Sequence, residues 1–379
     1  PAPDRASGQG PALDVQLAQG SLSSWPWLLV LAACGLDQLV GDPRWCLHPV
    51  VVMGWWITAL RRLAEAWAGD DQGKLRLAGE LITLLLVGGS GLAGWGLEQL
   101  VLVLARQGPV LTAAGLLALT IALASALAGR SLEQAVQQVL RVLPPAEPPT
   151  SPPHALQDPE SLIAARQSLA WIVGRDTADL EAGEILRAAA ETASENAVDG
   201  LFAPLFWMLL GAGLWSLNPA LPGPLALAWG FKAASTLDSM LGYRQGRLRW
   251  LGTAGARLDD LLVWLPCRLV ALSLPLAGGK GSDCLQLLTA ALRDGAADPS
   301  PNAGVSQAAY AHTCGVQLGG CNRYGTQVRD KPLLAPGFPP ADRAAVQRML
   351  ELNRRLEWLW LAASALPAAM LSFITKTLS

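Results

Sequence analysis

Charged residues are scarce in this 379-residue chain, at 15%, where soluble domains carry roughly 25%. No basic surplus exists either: 28 Lys and Arg stand against 30 Asp and Glu, for a net charge of −2. That excludes the electrostatic footprint of a nucleic-acid binder. Tyr and Phe are rare, at 3 and 5, while Trp is not, at 15, and indole rings collect at membrane interfaces. The six cysteines, at 34, 46, 267, 284, 314 and 321, form no C-x-x-C pair. Several sit in apolar runs, so they read as small core residues in a reducing compartment and not as a disulfide or zinc framework. Gly278-Gly279-Lys280-Gly281 lacks the leading Gly and trailing Ser/Thr of a Walker A loop. No G-x-S-x-G nucleophile elbow occurs, and Asp199-Gly200 is not followed by the Ala-Arg of CDP-alcohol phosphotransferases.

What the chain has is apolar length. Hydrophobic residues make up 51% and mean hydropathy is +0.32, which predicts an all-α, polytopic integral membrane bundle with cytoplasmic helical segments. Residues 1–24 read as a disordered tail without the layout of a signal peptide. Residues 25–128 hold membrane helices and an amphipathic, interfacial stretch near 55–78. Within them Gly89-Ser90-Gly91-Leu92-Ala93-Gly94 formally matches G-x-G-x-x-G, but inside an apolar helix it predicts close helix packing, not a dinucleotide site. Residues 129–200 form a cytoplasmic helical domain interrupted by the proline-rich linker 144–153, which helix cannot cross. Asp158-Pro159 restarts the helix as N-cap and N1. Residues 201–278 are a membrane hairpin, turning at 218–224, and a segment interrupted by Pro266, Arg268 and Pro275. Residues 279–356 are again aqueous, and 357–379 hold a last membrane helix.

The polar residues of interest cluster at the edges of these runs. Glu191, Glu195 and Asp199 recur every four residues, so on a helix they share one face, where like charges repel by a few tenths of a kcal/mol per pair. The stripe runs straight into Leu201-Phe202-Ala203-Pro204. It is either an acidic helix end left in solvent or a set of carboxylates around a cation. Asp37 and Asp42 close the first apolar run, and acids inside such a run are costly enough to be functional candidates. His48, alone before Pro49, is more simply a structural hydrogen-bonder. Lys232, Asp238, Arg257, Asp259 and Asp260 follow. Oxygen ligands in this number without a His or Cys cluster suit Mg²⁺, which commonly arrives with phosphate. Basic groups and glycine-rich backbone for phosphate occur at Asp298–Gly304 and at Leu318–Gly325, followed by Arg329 and Lys331. From composition alone, ordinary turn chemistry is the simpler reading of those loops.

Basic residues decide orientation. They concentrate in 42–78, 129–200, 230–260 and 279–356, and all four segments fall on one side if 201–236 is a hairpin and 259–278 does not cross. The expectation is therefore six crossings, a re-entrant or interfacial 259–278, and polar segments facing the cytoplasm of a plasma-membrane protein.

As a set, these motifs resemble the CobD/CbiB family of cobalamin biosynthesis, the adenosylcobinamide-phosphate synthases. The resemblance lies in Leu36-Asp37, Gly41-Asp42-Pro43-Arg44 and His48-Pro49-Val50. It continues through Glu191-Thr192, Glu195-Asn196, Asp199-Gly200 and Ala203-Pro204, then Lys232-Ala233, Thr236-Leu237-Asp238-Ser239-Met240 and Gly242-Tyr243. Ala256-Arg257-Leu258-Asp259-Asp260, Pro299-Ser300-Pro301-Asn302-Ala303-Gly304, Leu318-Gly319-Gly320, Asn322 and Tyr324-Gly325 complete it in order. Ala197-Val198 replaces a more polar pair, and Cys321 stands where Pro is common. The resemblance implies a membrane amide ligase that joins aminopropanol or its O-phosphate to a propionate of adenosylcobyric acid with ATP and Mg²⁺, with other membrane enzymes of the pathway as candidate partners. It assigns Glu191, Glu195, Asp199 and Asp238 to catalysis, with Asp37, Asp42, Asp259 and Asp260 as further metal ligands. Asn196, Lys232, Arg257, Asn302, Asn322, Arg323 and Tyr324 would bind substrate and phosphate. A non-catalytic scaffold or a transporter of corrinoid intermediates is the alternative, although no inverted repeat is visible.

Overall fold

The computed structural model describes residues 25–42, 48–144, 159–324 and 327–378. The tail 1–24, Pro43 and Arg44, the linker 145–158 with Asp158, Gly325 and the side chain of Tyr324 lie outside the described residues. Described helices are α1 (Trp25–Val40), α2 (Pro49–Ala68), α3 (Gln72–Ala105), α4 (Pro109–Ala124), α5 (Gly129–Val142), α6 (Pro159–Ala170), α7 (Ala182–Ala197), α8 (Ala203–Leu217), α9 (Pro224–Leu241), α10 (Leu248–Leu251), α11 (Thr253–Ala277), α12 (Cys284–Gly295), α13 (Ala303–Cys314) and α14 (Arg343–Leu378). Among the described residues one antiparallel hairpin, β1 (Leu318–Tyr324) with β2 (Gln327–Leu334), stands where the sequence suggested loops.

The centre of the fold is one long helix made of two parts. A capping box between Glu181 and Glu184 starts α7 by satisfying otherwise orphaned N–H groups. Pro204 lies at the start of α8 and has no N–H to give the carbonyl of Gly200 four residues back. The helix therefore widens into a π turn at Val198–Phe202, and the Gly200 carbonyl accepts instead from Ala128 N at 2.8 Å. Helix continuity is kept, so 182–217 forms one 36-residue element that is apolar and long enough to cross a membrane. Its charged half and its apolar half belong to the same rod.

The same device governs α11. A re-entrant or interfacial 259–278 was expected because Pro266 and Pro275 interrupt it, but both prolines sit inside a continuous 25-residue helix. The carbonyl that Pro266 deprives of a partner, Leu262 O, accepts from Trp207 Nε1 at 3.2 Å. Among the described residues α3, the 182–217 rod and α11 are each long and apolar enough to cross, and α4 with α5, bent by 42°, makes a fourth. The other expected runs fall on α1, a shorter apolar helix, on α9 and within the 36-residue α14.

Packing of α9 on α3 explains the glycine run. A Cβ on Gly94 would lie 2.8 Å from Ala226 Cα, so only glycine admits that backbone. The turn between α8 and α9 is clasped by α3: Trp95 Nε1 donates to Ala220 O at 3.1 Å and Gln99 Nε2 to Pro219 O at 2.7 Å. Between them Glu98, fully buried, accepts from Gly223 N, Leu225 N and Ala226 N at 2.8, 2.6 and 3.2 Å. A carboxylate at a helix N-terminus complements its dipole and caps its free N–H groups. Glu98→Ala strips three buried donors of their acceptor. The expected cost is about 2–4 kcal/mol, read as a lower thermal midpoint, while Gly94→Val should fail to pack at all.

On the polar side, α12, α13 and the hairpin are tied through Asp294. Its carboxylate meets His312 Nε2 at 2.8 Å and accepts from Ala335 N at 3.1 Å, fixing a residue with φ +54°. Burial pushes this carboxyl up, but Arg293, His312 and the Ala335 amide outweigh it and hold it below the ordinary value. A group depressed on folding stabilises above its unfolded value, about 3.9 for Asp, and that contribution fades as pH falls through the lower folded value. Thermal unfolding as a function of pH should therefore show an acid-side loss that Asp294→Asn removes.

Candidate active site

An open cleft of about 650 Å³ lies beside the π turn, with Asn196, Asp199 and Gly200 on one wall and Lys232, Ser235, Thr236 and Ser239 of α9 on the other. Val50, Ala128, Ser131, Tyr243 and Trp171 to Val173 complete it. The π turn matters here because widening the helix at 198–202 sets Asp199 and Gly200 at the wall where α5 begins. Such turns recur at functional sites.

Lys232 is the hub. Its ammonium lies in electrostatic range of Asp42, Asp199, Asp259 and Asp37, yet among the described residues it closes an ion pair within 4.0 Å with none of them. Asp199 in turn senses Asp259, Glu195 and Asp238, and Asp259 senses Asp238 and Asp260. One cation thus faces an arc of carboxylates without being neutralised by direct contact.

Asp42 is oriented by two side chains. Ser131 Oγ donates to it at 2.9 Å, and His48 Nε2 stands 3.2 Å from its other oxygen. His48 Nδ1 accepts from Val50 N at 3.3 Å, capping α2, so the ring proton sits on Nε2, towards the acid. Partial burial pushes the Asp42 carboxyl up, but the hydrogen bonds from His48 and Ser131 outweigh this and hold it below the ordinary value. His48 is thus a structural link, as its isolation in the sequence suggested.

Other candidates fall elsewhere. Asp37 is buried, and its Oδ2 accepts from Arg130 N at 3.2 Å. It caps α5 against the π turn and does not line the cleft. Glu191, buried at 1% exposure, pairs with Arg175, lies 3.9 Å from Arg187 and accepts from Gly319 N at 3.0 Å. It anchors the hairpin and does not join the acid arc. Asn322 works beside it, accepting from Arg175 at 2.6 Å, while Arg187 donates to Cys321 O at 2.9 Å. Arg323 is exposed and pairs with Asp179 at 3.2 Å. Asn302 is a latch, accepting from Arg268 at 2.5 Å and donating to Asp260 O at 2.8 Å. Arg257 is exposed on α11. Glu195 accepts from Gln307 at 2.6 Å and senses Lys331, which also meets Asp298 at 3.5 Å.

The 299–325 segments were expected to offer basic groups and backbone to phosphate at the site. No described residue of theirs lines the cleft, and they hold the 191–195 end of the rod. Conversely, Ser131, Trp171 and the arginines 175 and 187 were not singled out from sequence, and Ser239 entered only as part of the Thr236–Met240 motif. Serines a turn apart on α9, at 235 and 239, were the available signal. Glu98 was legible too, as a lone carboxylate inside an apolar span.

Whether the arc fits Mg²⁺ follows from its geometry. Among the described residues no three His, Cys, Asp or Glu side chains gather into a ligand set. Asp259 does present a buried oxygen with no hydrogen-bond partner. Mg²⁺ typically keeps waters and takes one or two carboxylates plus substrate phosphates. The residues fit an ion that completes its shell with substrate phosphate and water.

Fold and cleft together define an all-α membrane protein with a charged site at the edge of its apolar helices. A family model described as CobD/Cbib protein matches residues 30–353. A Synechocystis protein named cobalamin biosynthesis protein CobD is 41% identical over 86% of this chain and 86% of its own length. A Geobacter metallireducens protein of the same name is 37% identical over 91% and 97%. Cobalamin biosynthesis protein CbiB of Salmonella typhimurium is 34% identical, also over 91% and 97%. The chain belongs to the CobD/CbiB family. No solved structure matches it.

Proposed function

We propose that the chain is an ATP-dependent amide ligase of cobalamin biosynthesis, acting on the cytoplasmic side of the cell membrane. It joins aminopropanol, or its O-phosphate, to a propionate of adenosylcobyric acid. The observation that carries this is Lys232: a half-buried ammonium in an open cleft, surrounded by acids but paired directly with none among the described residues. Such a cation is available to a phosphoryl group, and the acids beside it suit an amine.

In this reading a propionate oxygen attacks the γ-phosphorus of ATP, the bond to ADP breaks, and an acyl phosphate forms. The amine nitrogen then attacks the acyl carbon, the carbon–oxygen bond to phosphate breaks, and inorganic phosphate leaves. Lys232 holds the phosphoryl oxygens as charge moves onto them, and the hydroxyls of Ser131, Ser235 and Ser239 offer donors around it. Asp199 orients the ammonium of the second substrate and takes its proton, and Asn196 offers an amide to the propionamide fringe of the corrinoid. Asp259, with its unpartnered oxygen, and one of its neighbours Asp238 and Asp260 would hold Mg²⁺ together with the substrate phosphates, and the ion when bound supplies positive charge to the nucleotide phosphates. Stabilising charge that develops during reaction by preplaced groups is the dominant catalytic effect expected.

The test is direct. Purified protein given adenosylcobyric acid, ATP, Mg²⁺ and each amine in turn should form one amide per ADP released. Corrinoid binding with no ADP release would overturn the ligase reading.

A further inference from the structure

At the polar end of α3, two guanidiniums share one indole. Arg76 lies 4.4 Å and Arg249 lies 5.0 Å from the ring of Trp250. They come from α3 and from the short α10, which is held against α3 because Gly79 lets Leu251 O approach to where a Cβ would stand. Both arginines are exposed, and among the described residues neither has a carboxylate within 4.0 Å. Lys74 lies 5.8 Å over Trp67, extending the pattern to α2.

The surrounding acids do not neutralise it. Asp70 is engaged by Arg247 at 2.7 Å, Glu65 by Arg61 at 2.7 Å, and Asp71 caps α3 through Lys74 N. Glu80, one turn along from Arg76, stays beyond ion-pair distance. Two like charges stacked on one ring repel unless an anion lies between them, and stacking leaves the guanidinium N–H edges free for one. Immediately beyond Arg76, α3 turns Leu77, Leu81, Leu84 and Leu85 outward, while α2 exposes Trp55, Trp56 and Trp67. The cations therefore stand where an apolar belt meets an aromatic rim, at headgroup level.

We propose that Arg76, Trp250 and Arg249 form a binding site for the phosphate of an anionic phospholipid. The lipid bridges the two arginines, ties α10 to α3, and so braces the turn that ends α9, the helix of Lys232. The site is separate from the cleft, and its existence does not depend on the ligase reading.

Full-length protein in neutral detergent, titrated with phosphatidylglycerol and followed by native mass spectrometry, tests it. The wild type should retain one phosphatidylglycerol tightly and show no comparable retention of phosphatidylcholine. Each basic residue near an anionic surface is worth roughly fivefold in binding, so R76Q/R249Q should weaken it roughly 25-fold. W250L keeps both charges but removes the platform and should still weaken binding several-fold, which keeps the test open if the double variant folds poorly. R106Q, at the opposite end of α3, should bind as the wild type does. Unchanged affinity in R76Q/R249Q or W250L, or an equal loss in R106Q, overturns the site. Displacement of the lipid by equimolar soluble glycerol phosphate would overturn the lipid assignment.

Discussion

Lys232→Met should slow amide formation by about 10²–10³ while leaving the helical content and thermal midpoint close to wild type. The lysine lies on the cleft wall, not in the packed interior, and among the described residues it closes no ion pair, so its removal leaves no directly paired acid stranded. Loss of one preplaced group that meets developing charge typically costs about 10²–10³ in kcat. The deficit should therefore appear in kcat at saturating ATP, and Lys232→Arg should recover part of it, since charge returns with different reach. Asp199→Asn should cause a comparable loss, through the amine instead of the phosphate. Glu195→Gln should do less, because Gln307 already holds that carboxylate at 2.6 Å. Steady-state rates with each substrate varied separate these cases, and wild-type turnover in the Lys232 and Asp199 variants would remove the cleft from the chemistry.

Glu191→Ala should act on stability far more than on the reacting groups. The carboxylate lies between Arg175 and Arg187 and accepts from Gly319 N. Removing one partner of a buried pair leaves an uncompensated charge, at about 3–5 kcal/mol. The hairpin should then loosen, giving a lower midpoint and new protease cleavage near Gly319 and Gly320. Glu191→Gln should be intermediate, since an amide oxygen can still accept. If Glu191→Ala melts as the wild type but is inactive, the anchoring role assigned to it is wrong.

These two outcomes divide a stripe that sequence treats as one object. Spacing places 191, 195 and 199 on one face, and the structure keeps them there, but it cannot say what each turn of that face meets. Arg175 and Gly319 are remote in sequence, and their convergence on Glu191 is a tertiary fact. Family resemblance named Lys232 and Asp199, which line one cleft, and also Asn302 and Arg323, whose side chains hold segments together. The apolar runs made the membrane class legible from composition alone. At 259–278 the prolines suggested an interruption, whereas α11 runs through both, and Trp207, on another helix, donates to the carbonyl that Pro266 leaves open. Proline reports a missing hydrogen bond, and the fold decides whether something else provides it.

The central claim is that an acyl phosphate links ATP to the new amide. Adenosylcobyric acid carrying ¹⁸O in the reacting propionate, turned over by purified protein with ATP and the amine, tests this most directly. The account predicts one ¹⁸O in the inorganic phosphate released and none in the adenine nucleotide. Unlabelled phosphate, or label recovered in AMP, would contradict it.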